Sequence, residues 1–384
     1  MMYLDNAATS WPKPESVRQA VIDALDQYGA NPGRSSHQMA IQTAEMIFRT
    51  RSALAKLVNA ESPERIVFCA NATDALNLAI FGLVRPGDRV VTTSMEHNSV
   101  RRPLRRMRDT GAEIITVQAG RSGVVDPDSI RAAANGARLI VVTHASNVNG
   151  AVQPIAEIGA IARANDALLL VDAAQTIGAF PIDVQALQID LLAFPGHKSL
   201  LGPSGTGGLY IGNRVDVASL QPLHAGGTGL RSEDDQQPLE MPGRYESGTV
   251  NTLGIAGLAA GLKHVATIGI NAIQAHHAAI RRRLVEGLSS SGATVFDPGQ
   301  AQAADVVSFD VPEWQPADVG AVLDQSFGIA CRTGLHCAPD ACASIGAGPN
   351  GTVRFSPGLT TTDEEIDAAV QAIAEITSEA MVRG

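Results

Sequence analysis

The stretch Ala193-Phe194-Pro195-Gly196-His197-Lys198-Ser199-Leu200-Leu201-Gly202-Pro203 decides how the chain is read. An apolar run, Ile189-Asp190-Leu191-Leu192-Ala193-Phe194, stops at Pro195-Gly196 and a lysine follows almost at once. Gly202, Gly205, Gly207 and Gly208 then form a glycine-rich loop. A lysine at the end of a buried strand is costly unless its amine has a task. Partial desolvation lowers the pKa of an amine and lets it condense with a carbonyl as a Schiff base. A surface lysine that happens to follow a strand is the plainer reading. Lys198 alone leaves both open, and the surrounding sequence has to choose.

Working outward, apolar runs predict strands over 65–69, 89–93, 113–117, 139–143, 168–172, 191–194 and 207–211. Helical periodicity predicts helices over 15–28, 37–58, 73–82, 127–134 and 155–164, with an arginine-rich helix after the second of those strands. Strands that are apolar on both faces and alternate with helices imply an α/β fold with a mostly parallel seven-stranded sheet covered by helices. Residues 215–250 are rich in Gly, Pro and charge and read as a long excursion. Helices over 252–268 and 272–290 follow. Strands over 304–309 and 351–356, with helices over 317–327 and 362–381, read as a smaller α/β domain.

The 384 residues are 45% hydrophobic and 18% charged, which fits a soluble chain with a sizeable core. A net charge of -10 argues against nucleic-acid binding. The cluster Arg101, Arg102, Arg105, Arg106 and Arg108 reads as a solvated helix face or a subunit contact. No apolar run reaches membrane-spanning length, and the N-terminus lacks a basic region followed by an apolar core, so neither a membrane nor a secretory leader is expected. Four cysteines in a chain this long do not make a disulfide framework, and a reducing cytoplasm is the expected compartment.

Parallel sheets place their sites at the carboxyl ends of strands. Asn71 and Thr73, Glu96 and His97, Asn147, Asp172 and Gln175, and His197 and Lys198 all fall at such ends. Several polar strand ends in one sheet suggest one large ligand, and a Schiff-base lysine needs a carbonyl cofactor. Pyridoxal 5′-phosphate (PLP) demands a carboxylate at its ring nitrogen, because the protonated ring is the electron sink. Asp172 is placed for that, or else caps the following segment. The phosphate needs amides at a helix N-terminus, which Ala72 and Thr73 could open. Gln175 could bond the ring hydroxyl, and His97 could stack on the ring face.

The segments Asn6-Ala7-Ala8-Thr9, Glu96-His97-Asn98, Ser146-Asn147-Val148-Asn149-Gly150, Val171-Asp172-Ala173-Ala174-Gln175, Gly196-His197-Lys198 and Arg332-Thr333-Gly334-Leu335-His336-Cys337-Ala338 occur in this order. In that order they resemble the cysteine desulfurases, class V of the fold-type I PLP-dependent enzymes. The last segment resembles the type II group, which includes selenocysteine-lyase-like enzymes. The resemblance implies a large PLP-binding domain over 15–255. It also implies a small domain of 1–14 and 256–384 that brings Cys337 and Arg354 to the cofactor. It implies that Lys198 carries the cofactor and moves protons at the substrate α-carbon. Asp172 would pair with the ring nitrogen, Gln175 with the ring oxygen, and His97 would stack over the ring. Ala72, Thr73 and His197 would hold the phosphate, helped by Thr249 from the other subunit of a homodimer. Asn147 and Arg354 would bind the substrate amino acid, with Arg332 and Arg34 near the same region.

Cys337 separates the reactions open to this class. In a desulfurase its thiolate attacks the sulfur of bound L-cysteine, leaving a persulfide and alanine, and the sulfur passes to an acceptor protein. A neighbouring cation such as Arg332 or His336 would help form the thiolate. A selenocysteine lyase, a C–S lyase, an aminotransferase or a non-catalytic sulfur carrier are the alternatives. Cys331, His336, Cys337 and Cys342 lack the paired spacing of a zinc site, so no metal is expected. One departure stands out. The type II pattern usually has a serine at the phosphate two residues before His197, and here that position is Pro195, which offers neither hydroxyl nor N–H.

Overall fold

The computed structural model describes residues 1–32, 37–231, 233–299 and 302–383. Its strands in chain order are β1 (Met2–Tyr3), β2 (Ile66–Cys69), β3 (Arg89–Thr93), β4 (Glu113–Val117), β5 (Ala137–Thr143), β6 (Leu168–Asp172), β7 (Leu191–Pro195) and β8 (Gly207–Ile211). There follow β9 (Thr294–Val295), β10 (Val307–Asp310), β11 (Ile329–Ala330), β12 (Arg332–Gly334) and β13 (Thr352–Phe355). Seven of these form one sheet in the order β2-β8-β7-β6-β5-β3-β4. Pairing is parallel except where β8 meets β2 and β7.

The alternation of side chains across this sheet explains its all-apolar strands. In β5 and β6, Ile140, Val142, Leu169 and Val171 enter one core, which reaches the helix Ile155–Ala164. Leu139, Val141, Leu168 and Leu170 enter a second core on the opposite face, with Leu76, Ile80 and Leu104 from the helices Ala72–Leu83 and Asn98–Asp109. Every residue of β6, β7 and β8 is buried. The register pairs Thr143 with Asp172 at the carboxyl end, so two polar side chains close adjacent apolar strands.

Beyond the sheet, β12-β13-β10-β9 form an antiparallel sheet, and β1 pairs in parallel with β11. Leu4 shares a third core with Ile280, Leu284, Phe309, Phe355 and Ile366, so the N-terminal segment packs among C-terminal elements. Among the described residues between 215 and 250 the only helical turn is the short Gly243–Tyr245. The strand expected over 304–309 begins at Val307, because Ala304 is spent on a backbone pairing with Gly150. The two-residue strands carry no periodicity and were not expected. The seven-residue helix Pro339–Ile345 was also missed, although Pro339 at its start and the left-handed Gly346 at its end are recognised boundary signals.

Candidate active site

A cavity of about 230 Å³ opens at the carboxyl end of the large sheet. Ala72, Thr73, His97, Asn147, Asp172, Gln175, His197, Lys198, Arg332 and Arg354 all line it, together with Pro195. A wider hollow of about 570 Å³ lies in the exposed 225–238 excursion and takes in none of these residues.

Lys198 follows β7 and is half-buried. Burial pushes its amine down to about 8, Arg354 and Arg332 push the same way, and Asp172 and Asp5 oppose them. A sizeable neutral fraction at pH 7 makes the amine a nucleophile. Asp172 ends β6 and is 3% exposed. Its Oδ1 accepts the Ala174 amide at 2.9 Å. Burial pushes its carboxyl up, and that amide and Lys198 pull it down. No helix follows Asp172, so it is not a helix cap. Gln175 Nε2 donates to the Ala7 carbonyl at 3.2 Å, which leaves its oxygen free of that bond.

Two helix N-termini meet at the cavity. Asn71 caps Ala72–Leu83 by accepting the Asp74 amide at 2.9 Å. Thr73 therefore lies in the first turn, where unpaired amides and the helix dipole favour an anion. His97 caps Asn98–Asp109, its Nδ1 accepting the Ser99 amide at 3.1 Å. Burial, then Lys198, Arg332, Arg354 and Arg102, push His97 down to about 4, so the ring is neutral with its proton on Nε2. The Ser99 hydroxyl lies 2.9 Å from His97 Nδ1 and 2.7 Å from Thr73 Oγ1. Ser99 thus ties the stacking candidate to the phosphate candidate, and sequence reasoning missed it. Its position two residues after a capping His97 was the available signal.

On the far wall, Arg354 is fully buried. It donates to Asp5 Oδ1 at 2.7 Å and to the Asn147 carbonyl at 3.0 Å, and its Nε has no partner among the described residues. Asn147 Nδ2 donates to the His336 carbonyl at 2.7 Å, linking the cavity to the cysteine turn. Arg332 reaches Cys337 Sγ at 3.0 Å. The second expected cation, His336, is a correction: it is 2% exposed, and burial with Arg354 and Arg332 pushes it down to about 2, so it is neutral. All four cysteines are free thiols. Among the described residues no three His, Cys, Asp or Glu side chains gather as a metal-ligand set.

Among the described residues, one expected residue does not line the cavity. Thr249 is exposed in the excursion, where Asn31 Nδ2 donates to its hydroxyl at 3.1 Å. Arg34 lies outside the described residues. Glu96, noted only as a strand-end residue, is fully buried. It accepts the Thr93 hydroxyl and the Thr143 amide, and burial pushes it up to about 8.

The chain matches the aminotransferase class-V family model over residues 2–369. It is 39% identical over 380 residues to a probable cysteine desulfurase of Methanothermobacter thermautotrophicus, covering 98% of this chain and 94% of that protein. It is 33% identical over 386 residues to a cysteine desulfurase of Pectobacterium atrosepticum, covering 98% and 93%. Among solved structures, the apo cysteine desulfurase of Thermococcus onnurineus superposes with a TM-score of 0.93 at 33% identity, covering 98% of this chain and 95% of that one. A whole-chain match at this identity, on a sheet whose rim carries Lys198, Asp172 and His97, places the protein by descent as well as by shape. The chain belongs to the aminotransferase class-V family, among its cysteine desulfurases.

Proposed function

We propose that the protein binds PLP in the cavity at the sheet rim and converts L-cysteine to L-alanine, with Cys337 taking the sulfur as a persulfide. The donor set fits the cofactor. An amine shifted to about 8 stands in the same cavity as a buried carboxylate, a neutral imidazole and a helix N-terminus. Lys198 would attach the cofactor, Asp172 would face its ring nitrogen, Gln175 its ring oxygen and His97 its ring face. Thr73 and His197 would hold its phosphate with the amides of Ala72–Leu83, since Pro195 has none to give. When bound, PLP supplies the electron sink that makes the substrate α-proton and the C–S bond labile. Lys198 takes and returns the proton at the α-carbon. Arg354 binds the substrate carboxylate, and Asn147 keeps the cysteine turn against the cavity.

The observation that carries the sulfur-transfer reading is the Arg332–Cys337 contact at 3.0 Å. Arg332 lines the cavity, so the thiol stands one side chain from the substrate space. The guanidinium donates to the sulfur and so ties Sγ to a residue of the cavity wall. The thiolate forms an S–S bond to the substrate sulfur as the C–S bond breaks. The carbon side keeps the electron pair, gains a proton and leaves as alanine. A class V aminotransferase has no use for this thiol.

We read the active form as a homodimer. Leu25, Met39 and Phe48 are exposed apolar side chains on the helices Glu15–Gln27 and Gln38–Leu57, and Thr249 stands away from its own cavity. A sulfur-acceptor protein and a reducing cytoplasm suit an enzyme that works through a persulfide. The test is to incubate the PLP-loaded protein with L-cysteine, measure alanine and sulfide, and weigh Cys337 by mass spectrometry. A 32-Da gain on Cys337, absent together with at least ~100-fold of the turnover in Cys337→Ala, is expected. Full sulfide release by that variant would show that the sulfur does not pass through Cys337.

A further inference from the structure

The carbonyl of His197, one peptide before Lys198, is surrounded by donors from a single short segment. The Lys13 amine lies 2.6 Å from its oxygen, the Ser10 hydroxyl 3.1 Å, the Ser10 amide 3.2 Å and the Thr9 hydroxyl 3.2 Å. The same groups have other acceptors. The Ser10 hydroxyl reaches the Lys198 carbonyl at 2.9 Å, Lys13 Nζ reaches Ser10 Oγ at 2.7 Å, and Thr9 Oγ1 is 3.0 Å from His197 Nδ1.

A carbonyl oxygen has two lone pairs and a hydroxyl one proton, so these contacts resolve into one scheme. Lys13 donates to the His197 carbonyl and to Ser10 Oγ. The Ser10 amide takes the second lone pair of His197, and the Ser10 proton goes to the Lys198 carbonyl. The Thr9 proton goes to His197 Nδ1, which leaves the ring proton on Nε2. Each proton is used once, and the shortest bond to the His197 carbonyl is the charge-assisted one. The carbonyls of residues 197 and 198 are therefore both held, while Lys198 Nζ bonds to no protein group among the described residues. An amine without a hydrogen-bond partner among the described residues stands on a held stem.

We propose that Lys13 is a positioning residue for Lys198: it fixes the backbone from which the amine moves between the cofactor and the substrate α-carbon. This rests on the PLP reading above. A fixed stem limits the amine to the arc its own side-chain torsions allow, and small misplacements are costly in catalysis. Lys13 is half-buried and does not line the cavity, so it acts at a distance, through the backbone it holds and through its charge near the His197 ring.

The test uses the PLP-loaded protein with Lys13→Met, Lys13→Arg and Ser10→Ala. Lys13→Met is expected to lower kcat about tenfold with KM within about twofold, and to move the pH midpoint of the cofactor's visible band. Lys13→Arg, which keeps a charged donor, is expected to restore most of both. Ser10→Ala, which keeps Lys13 but breaks the relay to the Lys198 carbonyl, is expected to shift both in the same direction by less, and it answers the question if Lys13→Met does not fold. A lowered melting temperature with kcat and band midpoint unchanged in Lys13→Met and Ser10→Ala overturns the proposal. A wild-type protein that develops no visible band with PLP overturns the cofactor reading instead.

Discussion

Lys198 and Cys337 stand on two different kinds of backbone. The rim that carries Lys198, Asp172 and His97 is made of strand ends and helix caps, and its shape follows from the elements behind it. The turn that carries Cys337 holds His336 at φ 50° and Cys337 at φ 60°, two consecutive non-glycine residues in the left-handed region. Each costs about 1–2 kcal/mol. That conformation is held from outside. The Asn98 amide donates to the Cys337 carbonyl at 2.7 Å, Asn147 to the His336 carbonyl at 2.7 Å, and His336 Nε2 meets Thr352 Oγ1 at 2.8 Å. The rim takes its shape from the strands and helices behind it, with the 9–13 segment bracing only the backbone at Lys198, whereas the whole turn is set by three distant segments. The rim should therefore lose chemistry without losing shape, and the turn should lose shape first.

The largest effect expected is at Lys198. Lys198→Ala should abolish the visible band and the turnover together, while the sheet stays folded. The wild-type pH dependence sharpens this. Only the neutral amine condenses with an aldehyde, and the Lys198 pKa is lowered to about 8. PLP uptake by the cofactor-free protein should therefore rise about tenfold per pH unit up to about 8 and level off above it. An unshifted lysine would keep climbing to about 10.4. Stopped-flow absorbance across pH 6–10 reads this directly, and a rise that continues beyond pH 9.5 means that the cavity does not desolvate the amine.

A smaller effect is expected where rim and turn touch. Arg332→Leu keeps bulk but removes the guanidinium from Cys337 Sγ. At fixed pH near 7.5, alkylation of Cys337 by iodoacetamide should slow about tenfold, because the sulfur loses the donor that holds it in place. Alkylation needs no cofactor, so it separates this contact from any part Arg332 plays in holding substrate. An unchanged rate would sever the link between the two regions.

The same contrast explains what the sequence made legible. Leu168-Leu169-Leu170-Val171 is apolar on both faces because one core takes Leu169 and Val171 and the other takes Leu168 and Leu170, and that pattern can be seen without coordinates. The residues at such strand ends could be named because a parallel sheet sends its carboxyl ends to one rim. The Arg332–Cys337 contact was within reach, since five residues span one tight turn. Ser99, Lys13 and the Asp5–Arg354 pair were not read from the sequence. Asp5 and Arg354 are 349 residues apart and meet because the N-terminal segment bridges from Asp5 to Ser356, just past β13, a single-residue pairing that leaves no periodicity. His336 was misread as a cation for a related reason: its sequence neighbours do not report that it is buried beside two arginines.

The smallest effect tests the turn by itself. Thr352 is fully buried on β13, where valine fits the backbone equally well, so Thr352→Val removes one hydroxyl and little else. It leaves His336 Nε2 without a partner on a ring whose Nδ1 already has none among the described residues, at a cost of about 1–3 kcal/mol. That cost is comparable to the strain stored at His336 and Cys337, so the turn should relax while the rim does not move. Persulfide formation in single turnover should fall about two- to fivefold, and PLP affinity and the band midpoint should stay at wild-type values. Equal losses in PLP affinity and persulfide rate would mean that the turn braces the rim. In that case the strain at Cys337 belongs to the stability of the whole site, and the two regions cannot be tuned apart.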